Sequence, residues 1–349
     1  MNTIMKKIDN NQIDKESLAL AADLLRQGEL VAFPTETVYG LGADALRPEA
    51  SKKIYAAKGR PSDNPLIIHV AEFEALYHIA KEVPEEAKRL AKKFWPGPLT
   101  MILPKSEAVP YETTGGMDTV AIRMPDHPLA LALIKAGGGY IAAPSANTSG
   151  RPSPTLAEHV YQDLAGKVAM ILDGGAVGIG LESTIVDLSE EIPMILRPGY
   201  ITKEMLEEVI GEVRIDPGLI AADSDVKPKA PGMKYRHYAP KANLVIVKGE
   251  PEAVINKINA LTRECVSEEK KVGVIGTDET ILRYEADVVK SIGSREDEDS
   301  IARHLYGILR DYDEMDVDCI FSESFSTPRI GHAIMNRLLK AAGHQVIEV

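Results

Sequence analysis

The chain has 349 residues, of which 44% are hydrophobic and 26% are charged, with a formal net charge of −12 and a pI near 5.3. That length exceeds one ordinary hydrophobic core, so we expect two domains, each large enough to fold alone. The acidic balance argues against a protein that coats nucleic acid by charge alone, because such binding neutralises many phosphates. A local basic cleft is compatible with this charge.

The sequence shows no sign of export or of a membrane segment. The N-terminal residues contain no apolar stretch of the kind that directs secretion, and no run of 18 or more apolar residues occurs in the sequence. We therefore expect a cytoplasmic protein that does not enter a membrane. Cys265 and Cys319 have no zinc-binding spacing, so we expect two buried, reduced thiols rather than a disulfide or a metal site.

The first elements lead to a polar cluster at the end of a strand. The spacing of apolar residues over 14–28 predicts an amphipathic helix, and 29–33 reads as a strand. The segment PTETVYGLGADA follows and carries Thr35, Thr37 and Tyr39 between glycines and a proline. Short hydroxyl side chains beside glycines can bind a small polar ligand, although a capped turn explains the same pattern.

A basic segment follows the next predicted helix, which covers residues 45–59. In KGRPSDNPLIIHV, Lys58 and Arg60 are one residue apart and would point the same way in an extended backbone. Pro61 and Pro65 stiffen the segment. This geometry suits a polyanion, whereas the alternative is a solvated surface turn.

A later strand carries an inward-facing arginine. After a helical stretch over 72–94 and the turn WPGPLT, the segment TTGGMDTVAIRMPDHP places Thr119 and Arg123 four residues apart on one strand face. A buried arginine needs an anionic partner. A substrate carboxylate or phosphate would serve, and so would an acidic residue of the protein.

The loop GGGYIAAPSANTSGRPSPT is rich in hydroxyl and amide side chains. Ser145, Asn147 and Ser153 could donate hydrogen bonds to phosphate or adenine groups, although turn chemistry alone also explains this composition. Further on, Arg197 closes a strand in MILRPGYI.

The character of the sequence changes over 213–242, which is proline-rich and lacks periodicity, so we expect an interdomain linker. Its segment GMKYRHYAP could stack on a base and contact phosphate, or could simply dock on a domain surface. From 243 to 349 strands alternate with helices, which predicts a parallel α/β domain. VGVIGT in that region lacks the GxGxxG pattern of a dinucleotide site.

Taken in combination, these motifs resemble those of a known family. PTETVYGLGADA, KGRPSDNPLIIHV, WPGPLT, TVAIRMPDHP, APSANTSGRPSPT, ESTIVDL with LRPG, and GMKYRHYAP are similar to successive motifs of the YrdC-like threonylcarbamoyl-AMP synthases, in their long two-domain form. The resemblance implies an α/β fold with a twisted mixed-sheet YrdC-like catalytic domain over 1–212. A linker over 213–242 and a smaller Rossmann-like parallel α/β domain over 243–349 would follow.

The resemblance also implies a reaction. Such an enzyme is a nucleotidyltransferase that converts L-threonine, bicarbonate and ATP, with Mg²⁺ carried by the ATP, into threonylcarbamoyl-AMP and pyrophosphate. The product would supply the machinery that transfers threonylcarbamoyl to tRNA, and direct tRNA contact is not required. Two alternatives are a non-catalytic RNA-binding protein and a different carbamoyl-adenylate-forming enzyme that uses carbamoyl phosphate.

Site residues follow from the same resemblance. The signature cations Lys58 and Arg60 would be catalytic. The nucleotide would be bound by Lys58, Arg60, Asn64, Thr119, Ser145, Asn147, Ser153, Arg197 and Tyr238. Threonine would be bound by Thr35, His69, Arg123, Ala143 through its backbone, and Ser183. The resemblance implies no metal held by the protein itself.

Overall fold

The computed structural model of the chain describes residues 2–219, 238–325 and 328–349. These residues form two compact units. The larger unit holds 2–149, 153–178 and 182–219, and the smaller holds 150–152, 179–181, 238–325 and 328–349. Most of the predicted linker lies outside the described residues, so its boundaries stay a prediction. Within the described ranges, no helix is both long enough and apolar enough to cross a membrane.

The larger unit is built from short strands and helices. Its strands are β1 (Ile4–Lys7), β2 (Val31–Phe33), β3 (Gly40–Asp44), β4 (Ile67–His69), β5 (Leu99–Pro104), β6 (Thr119–Arg123), β7 (Ile141–Ala142), β8 (Met170–Asp173), β9 (Thr184–Asp187), β10 (Met194–Arg197) and β11 (Arg214–Ile215). Its helices are α1 (Lys15–Arg26), α2 (Pro48–Lys58), α3 (Leu76–Ile79), α4 (Glu85–Phe94), α5 (Tyr111–Thr114), α6 (Pro128–Ala136), α7 (Ala157–Leu164) and α8 (Lys203–Ile210).

These strands join into one mixed sheet in the order β1-β8-β2-β3-β7-β4-β6-β5-β9-β10-β11. The sheet contains both parallel pairs, such as β4 with β6, and antiparallel pairs, such as β5 with β6. The mixed-sheet domain expected from the sequence is therefore confirmed. At its centre, β4 and β6 place their last residues side by side, which matters for the site described below.

Helices on the larger unit bury two apolar clusters against the sheet. One cluster packs α1 and α6 on β2 through residues such as Leu25, Leu133 and Phe33. The other includes Ile54 of α2 and Leu90 of α4. Helix α1 begins where the sequence predicts, because the Asp14 carboxylate accepts hydrogen bonds from the first-turn N–H groups of Glu16 and Ser17.

The smaller unit is a parallel α/β domain, as expected. Its strands are β12 (Asn243–Lys248), β13 (Val272–Gly276), β14 (Val288–Ser291), β15 (Cys319–Glu323) and β16 (Val346–Glu348), and its helices are α9 (Pro251–Ser267), α10 (Glu298–Glu314) and α11 (Gly331–Ala341). The strand order is β14-β13-β15-β12-β16, with every pair parallel. The two cysteines are free, with Sγ atoms 3.5 Å apart, and both are half-buried rather than buried.

A close contact in the smaller unit gives a stability prediction. The Tyr312 hydroxyl donates to Val274 O at 2.6 Å, and its ring covers Gly273, where an added Cβ would lie 2.6 Å from a ring carbon. We expect Gly273→Ala to destabilise this unit by about 1–3 kcal/mol, because the ring must move in a packed core. Gly307→Ala is the matched control, since it adds a methyl to open space on helix α10 and should stabilise by up to about 1 kcal/mol. Urea unfolding followed by circular dichroism checks both, and equal midpoints would contradict the prediction.

Candidate active site

The first group of predicted site residues centres on a buried lysine. Lys58 ends α2, and Gly59, with φ 62°, stops the helix in the left-handed region that favours glycine. Lys58 is 2% exposed, and its ammonium donates to the carbonyl oxygens of Ser145 and Asn147, both at 2.5 Å. It also lies 3.4 Å from Asn147 Oδ1. Lys58 therefore fixes the loop that follows β7 and holds a positive charge inside the protein.

The prediction that Lys58 and Arg60 lie on an extended backbone is wrong. Lys58 is helical and the chain turns at Gly59, so Lys58 and Arg60 do not lie on one extended stretch. The alternative of a solvated surface turn also fails, because Arg60 is 9% exposed. The Arg60 guanidinium donates to the carbonyl oxygens of Asn64, at 3.4 Å, and Pro65, at 3.1 Å. Arg60 thus organises the segment that leads into β4.

Asn64 and Thr119 lie at the same end of the central strands. Asn64 is 2% exposed, and its Oδ1 has no hydrogen-bond partner among the described residues. The Leu66 N–H donates to Thr113 O at 3.0 Å, which ties the segment before β4 to the segment before β6. Thr119 begins β6, which runs parallel to β4. The Asn64 side chain therefore leaves a buried acceptor available to a ligand donor at this edge.

The loop after β7 connects this edge to the rest of the sheet. The Ala143 N–H donates to Ile67 O at 2.9 Å, so the pairing of β7 with β4 continues to Ala143, one residue beyond the end of β7. Ser145 pairs with Gly40 in an isolated bridge, and its hydroxyl donates to Asn147 Oδ1 at 2.5 Å. The Ser145 and Asn147 side chains are thus held in one network with Lys58.

The second group lies at the opposite ends of the same strands. His69 and Arg123 are neighbours in the parallel pairing of β4 with β6, and Thr100 of β5 faces Arg123 from the other side. β6 has five residues. At a rise of about 3.3 Å per residue, the Cα atoms of Thr119 and Arg123 at its two ends are roughly 13 Å apart. Thr119 and Arg123, which the sequence places on one face, accordingly belong to different groups.

Arg123 is 4% exposed and is engaged on three sides. Its Nε donates to Gly97 O at 3.4 Å, its Nη1 donates to Thr37 Oγ1 at 2.9 Å, and its Nη2 lies 2.6 Å from Glu36 Oε1. Thr37 Oγ1 is in turn 2.9 Å from Thr35 Oγ1. The Glu36 contact is an ion pair without hydrogen-bond geometry, because both Glu36 oxygens have no hydrogen-bond partner among the described residues. The sequence left open whether the anionic partner of Arg123 is a substrate or an acidic residue of the protein. In the structure this partner is an acidic residue, Glu36.

His69 is held as a neutral imidazole. Burial, and to a smaller extent the nearby positive charge of Arg123, lowers the pKa of His69 to about 3. Its Nδ1 is 3.2 Å from Ile67 O, and its ring meets Phe33 edge-on. A neutral ring that donates from Nδ1 keeps Nε2 as an acceptor. His69 can therefore accept a hydrogen bond from a hydroxyl or an N–H group of a ligand.

This pKa predicts how stability depends on pH. An unfolded histidine binds a proton below pH about 6.5, whereas native His69 does so only near pH 3. The unfolded state thus holds more protons between these values, so stability falls as the pH falls through this window. For His69 the slope should approach about 1.4 kcal/mol per pH unit, and His69→Asn should remove it. Urea unfolding of both proteins between pH 4 and 7 checks this; parallel curves would contradict it.

Ser183 and Arg197 extend the second group. Ser183 is fully buried, and its hydroxyl lies 2.7 Å from Thr100 Oγ1. Arg197, 5% exposed, donates from Nε to Ser183 O at 3.0 Å and from Nη2 to Ser183 Oγ at 3.1 Å. These contacts place Arg197, a predicted nucleotide residue, beside Ser183, a predicted threonine residue. The two predicted sets therefore meet in space at this point.

Ser153 joins the same region through a second buried carboxylate. Its hydroxyl donates to Glu182 Oε1 at 2.5 Å, and Glu182 directly precedes Ser183. Ser153 is 1% and Glu182 7% exposed. The predicted role of Ser153 toward a nucleotide stays a prediction.

Tyr238 belongs to the smaller unit. It is 5% exposed, with φ 64°, and its ring stacks on Tyr306 with centroids 5.2 Å apart. Residues 232–237, the remainder of the basic and aromatic segment before it, lie outside the described residues. The nucleotide contact expected of Tyr238 therefore stays a prediction.

Sequence reasoning missed Glu36 and Glu182. Glu36 stands between two threonines in PTETV, and its partner, Arg123, is distant in the sequence. The hydrogen bond from Arg123 to Thr37 likewise spans 86 positions. One signal was available, because an inward-facing arginine requires an anion and each of these glutamates lies in a quoted motif. Local spacing does not reveal that Glu36 meets Arg123 or that Glu182 meets Ser153.

Comparisons with known proteins agree over nearly the whole chain. Residues 23–199 match a family model described as "Telomere recombination", and 201–343 match one described as "Threonylcarbamoyl-AMP synthase, C-terminal domain". The threonylcarbamoyl-AMP synthase of Bacillus subtilis is 54% identical, with 97% of this chain and 96% of that protein covered. That of Schizosaccharomyces pombe is 44% identical, with 94% and 88% covered.

A solved structure gives the same result. The crystal structure of Pyrococcus abyssi Sua5 complexed with L-threonine is 51% identical, covers 99% of this chain and 100% of that one, and superimposes with a TM-score of 0.94. Identity at this level over nearly the full length is evidence of common descent and of a common fold. The chain therefore belongs to the YrdC-like threonylcarbamoyl-AMP synthase family, in its long two-domain form.

Proposed function

We infer that the protein is an L-threonylcarbamoyladenylate synthase, which converts L-threonine, bicarbonate and ATP into threonylcarbamoyl-AMP, pyrophosphate and water. The observation that carries this conclusion is the placement of buried cations at both ends of two adjacent strands. Lys58 and Arg60 lie at one end, and Arg123 beside neutral His69 lies at the other. Cations held inside a protein can stabilise bound anions, and this reaction involves anions at each step.

The first group suits a polyphosphate. Threonine carbamate attacks the α-phosphorus, and pyrophosphate leaves with the electrons of the broken P–O bond. That displacement needs no nucleophile of the enzyme, but it does need positioned anions and stabilised negative charge. Lys58 and Arg60 supply fixed positive charge, and the Ser145–Asn147 loop and Asn64 supply polar contacts to the nucleotide. Lys58 must exchange a loop oxygen for a phosphate oxygen to touch it directly, since its ammonium is already hydrogen-bonded.

The second group suits an amino acid with a hydroxyl side chain. Arg123 pairs with the threonine carboxylate, and neutral His69 accepts a hydrogen bond from a hydroxyl. In this proposal the carbamate and the α-phosphate meet beside Ser183 and Arg197, two side chains that contact each other. In this proposal each group binds one of the two substrates.

Magnesium enters with ATP in this proposal, since phosphate oxygens are the ligands it prefers together with water. The described residues offer no cluster of three or more histidine, cysteine or acidic side chains for a metal ion. The ion would neutralise phosphate charge when bound. The cytoplasmic location and delivery of the product to the tRNA threonylcarbamoyl-transfer machinery remain predictions.

Burial argues against the RNA-binding alternative at this site. Lys58, Arg60, Arg123 and Arg197 are all less than a tenth exposed. The phosphodiester backbone of RNA is bound by exposed cations, because counterion release needs contact at the surface. A small-molecule site fits these side chains better.

The decisive experiment measures pyrophosphate release from Mg-ATP with each substrate omitted in turn. We expect release to require both L-threonine and bicarbonate. Carbamoyl phosphate should not replace them; if it does, the enzyme forms a different carbamoyl adenylate. No pyrophosphate under the complete conditions would refute the proposed function.

A further inference from the structure

A buried carboxylate in the second group has unused acceptor capacity. Glu36 follows Thr35 in the loop after β2, its side chain is 13% exposed, and its Oε1 is 2.6 Å from Arg123 Nη2. Both Glu36 oxygens lack a hydrogen-bond partner among the described residues. A carboxylate has about four acceptor positions, and leaving them empty inside a protein is costly. The group is therefore suited to receive N–H donors from a ligand.

The charges of Arg123 and Glu36 indicate which kind of ligand would bind beside them. Arg123 already donates to Gly97 and Thr37, and Glu36 is its charged partner. An incoming carboxylate reaches the guanidinium most directly by replacing Glu36, because that ion pair lacks hydrogen-bond geometry. The exchange would leave Glu36 as a buried anion without a counter-charge, which is unfavourable. A ligand that brings its own cation removes this penalty.

We propose that Glu36 binds the α-ammonium group of the amino-acid substrate while Arg123 binds its carboxylate. The inference rests on the proposed function, which supplies a zwitterionic substrate. Two ion pairs then replace the single Arg123–Glu36 pair of the free protein, and the net charge of the site does not change. Glu36 makes the site select an amino acid over a hydroxy acid of the same shape.

The chain offers a matched control. Glu182 is also buried and precedes Ser183, but its Oε1 already accepts a hydrogen bond from Ser153 at 2.5 Å. Glu182→Gln removes a carboxylate from the same region without removing the partner of Arg123. If the two glutamates differ in role, only Glu36→Gln should discriminate between ligands with and without an amino group.

The experiment compares two ligands by calorimetry on the full chain. L-Threonine carries carboxylate, hydroxyl and ammonium groups, and (R)-3-hydroxybutanoate lacks only the ammonium. In Glu36→Gln we expect the affinity for L-threonine to fall by about 10- to 100-fold, as for loss of a charged hydrogen bond. The affinity for the hydroxy acid should stay the same or rise, because no buried anion is left unpaired. Glu182→Gln should change both affinities by the same factor.

Several results would overturn the proposal. One is equal weakening of both ligands in Glu36→Gln, which would mean that Glu36 only orients Arg123; another is selective loss of threonine in Glu182→Gln. Should Glu36→Gln not fold, the wild-type protein decides, since it must bind L-threonine at least about 10-fold more tightly than the hydroxy acid. A wild-type protein that shows this selectivity but releases no pyrophosphate would refute the proposed function and still support the role of Glu36.

Discussion

Lys58→Ala should lower kcat/KM for ATP by about 10²- to 10³-fold, the usual cost of removing a group that stabilises charge in the transition state. The substitution removes a buried positive charge and also the donor that holds the carbonyl oxygens of Ser145 and Asn147. Each buried oxygen left without a donor costs about 1–3 kcal/mol, so the larger unit should lose stability as well. Pyrophosphate release at varied ATP and thermal unfolding measure the two effects.

Lys52→Ala on the same helix is the control for this prediction. Lys52 pairs with Glu49 at 3.0 Å, and its side chain is 53% exposed. Exposed pairs of this kind contribute about 0–1 kcal/mol, and the rate should change by less than about twofold. A Lys58→Ala enzyme with the wild-type rate would show that the ammonium group has a structural role alone.

The elements with clear periodicity could be predicted from the sequence. Helix α1 shows an apolar stripe and an Asp14 cap, and the strand–helix alternation after residue 243 corresponds to a parallel sheet. Strand β1 was missed because all its residues are exposed and it pairs in parallel with the distant β8, so no local pattern marks it. Chemistry-bearing residue types were also visible, since hydroxyls, amides and cations cluster between apolar segments.

The arrangement of the site could not be predicted, because it depends on long-range pairing. The spacing of Lys58 and Arg60 suggested two cations on one extended edge, but the helix continues to Lys58 and turns at Gly59. Arg123 needed an anion, yet sheet register brings His69 to it, and the loop after β2 brings Glu36, which is distant in the sequence. Register is set by packing over the whole sheet, which a local pattern does not contain.

Arg123→Ala should destabilise the larger unit by about 3–5 kcal/mol and abolish threonine-dependent pyrophosphate release. The loss exceeds that of an ordinary ion pair because Glu36 would remain as a buried anion without its partner, and Thr37 would lose a donor. Trp95, the single tryptophan, lies in this unit and donates to Leu99 O at 2.7 Å, so its fluorescence reports unfolding of this unit in urea.

A double variant separates the charge from the packing. Arg123→Met with Glu36→Gln removes both charges, and we expect most of the lost stability to return while activity stays absent, because a neutral pair does not bind a carboxylate. Arg89→Ala provides the surface comparison: its pair with Glu86 spans 3.4 Å, with side chains 51% and 41% exposed, and should contribute less than about 1 kcal/mol. If Arg123→Ala costs no more than Arg89→Ala, the Glu36 carboxylate is compensated by something other than Arg123, and the exchange of ion pairs proposed for substrate binding loses its basis.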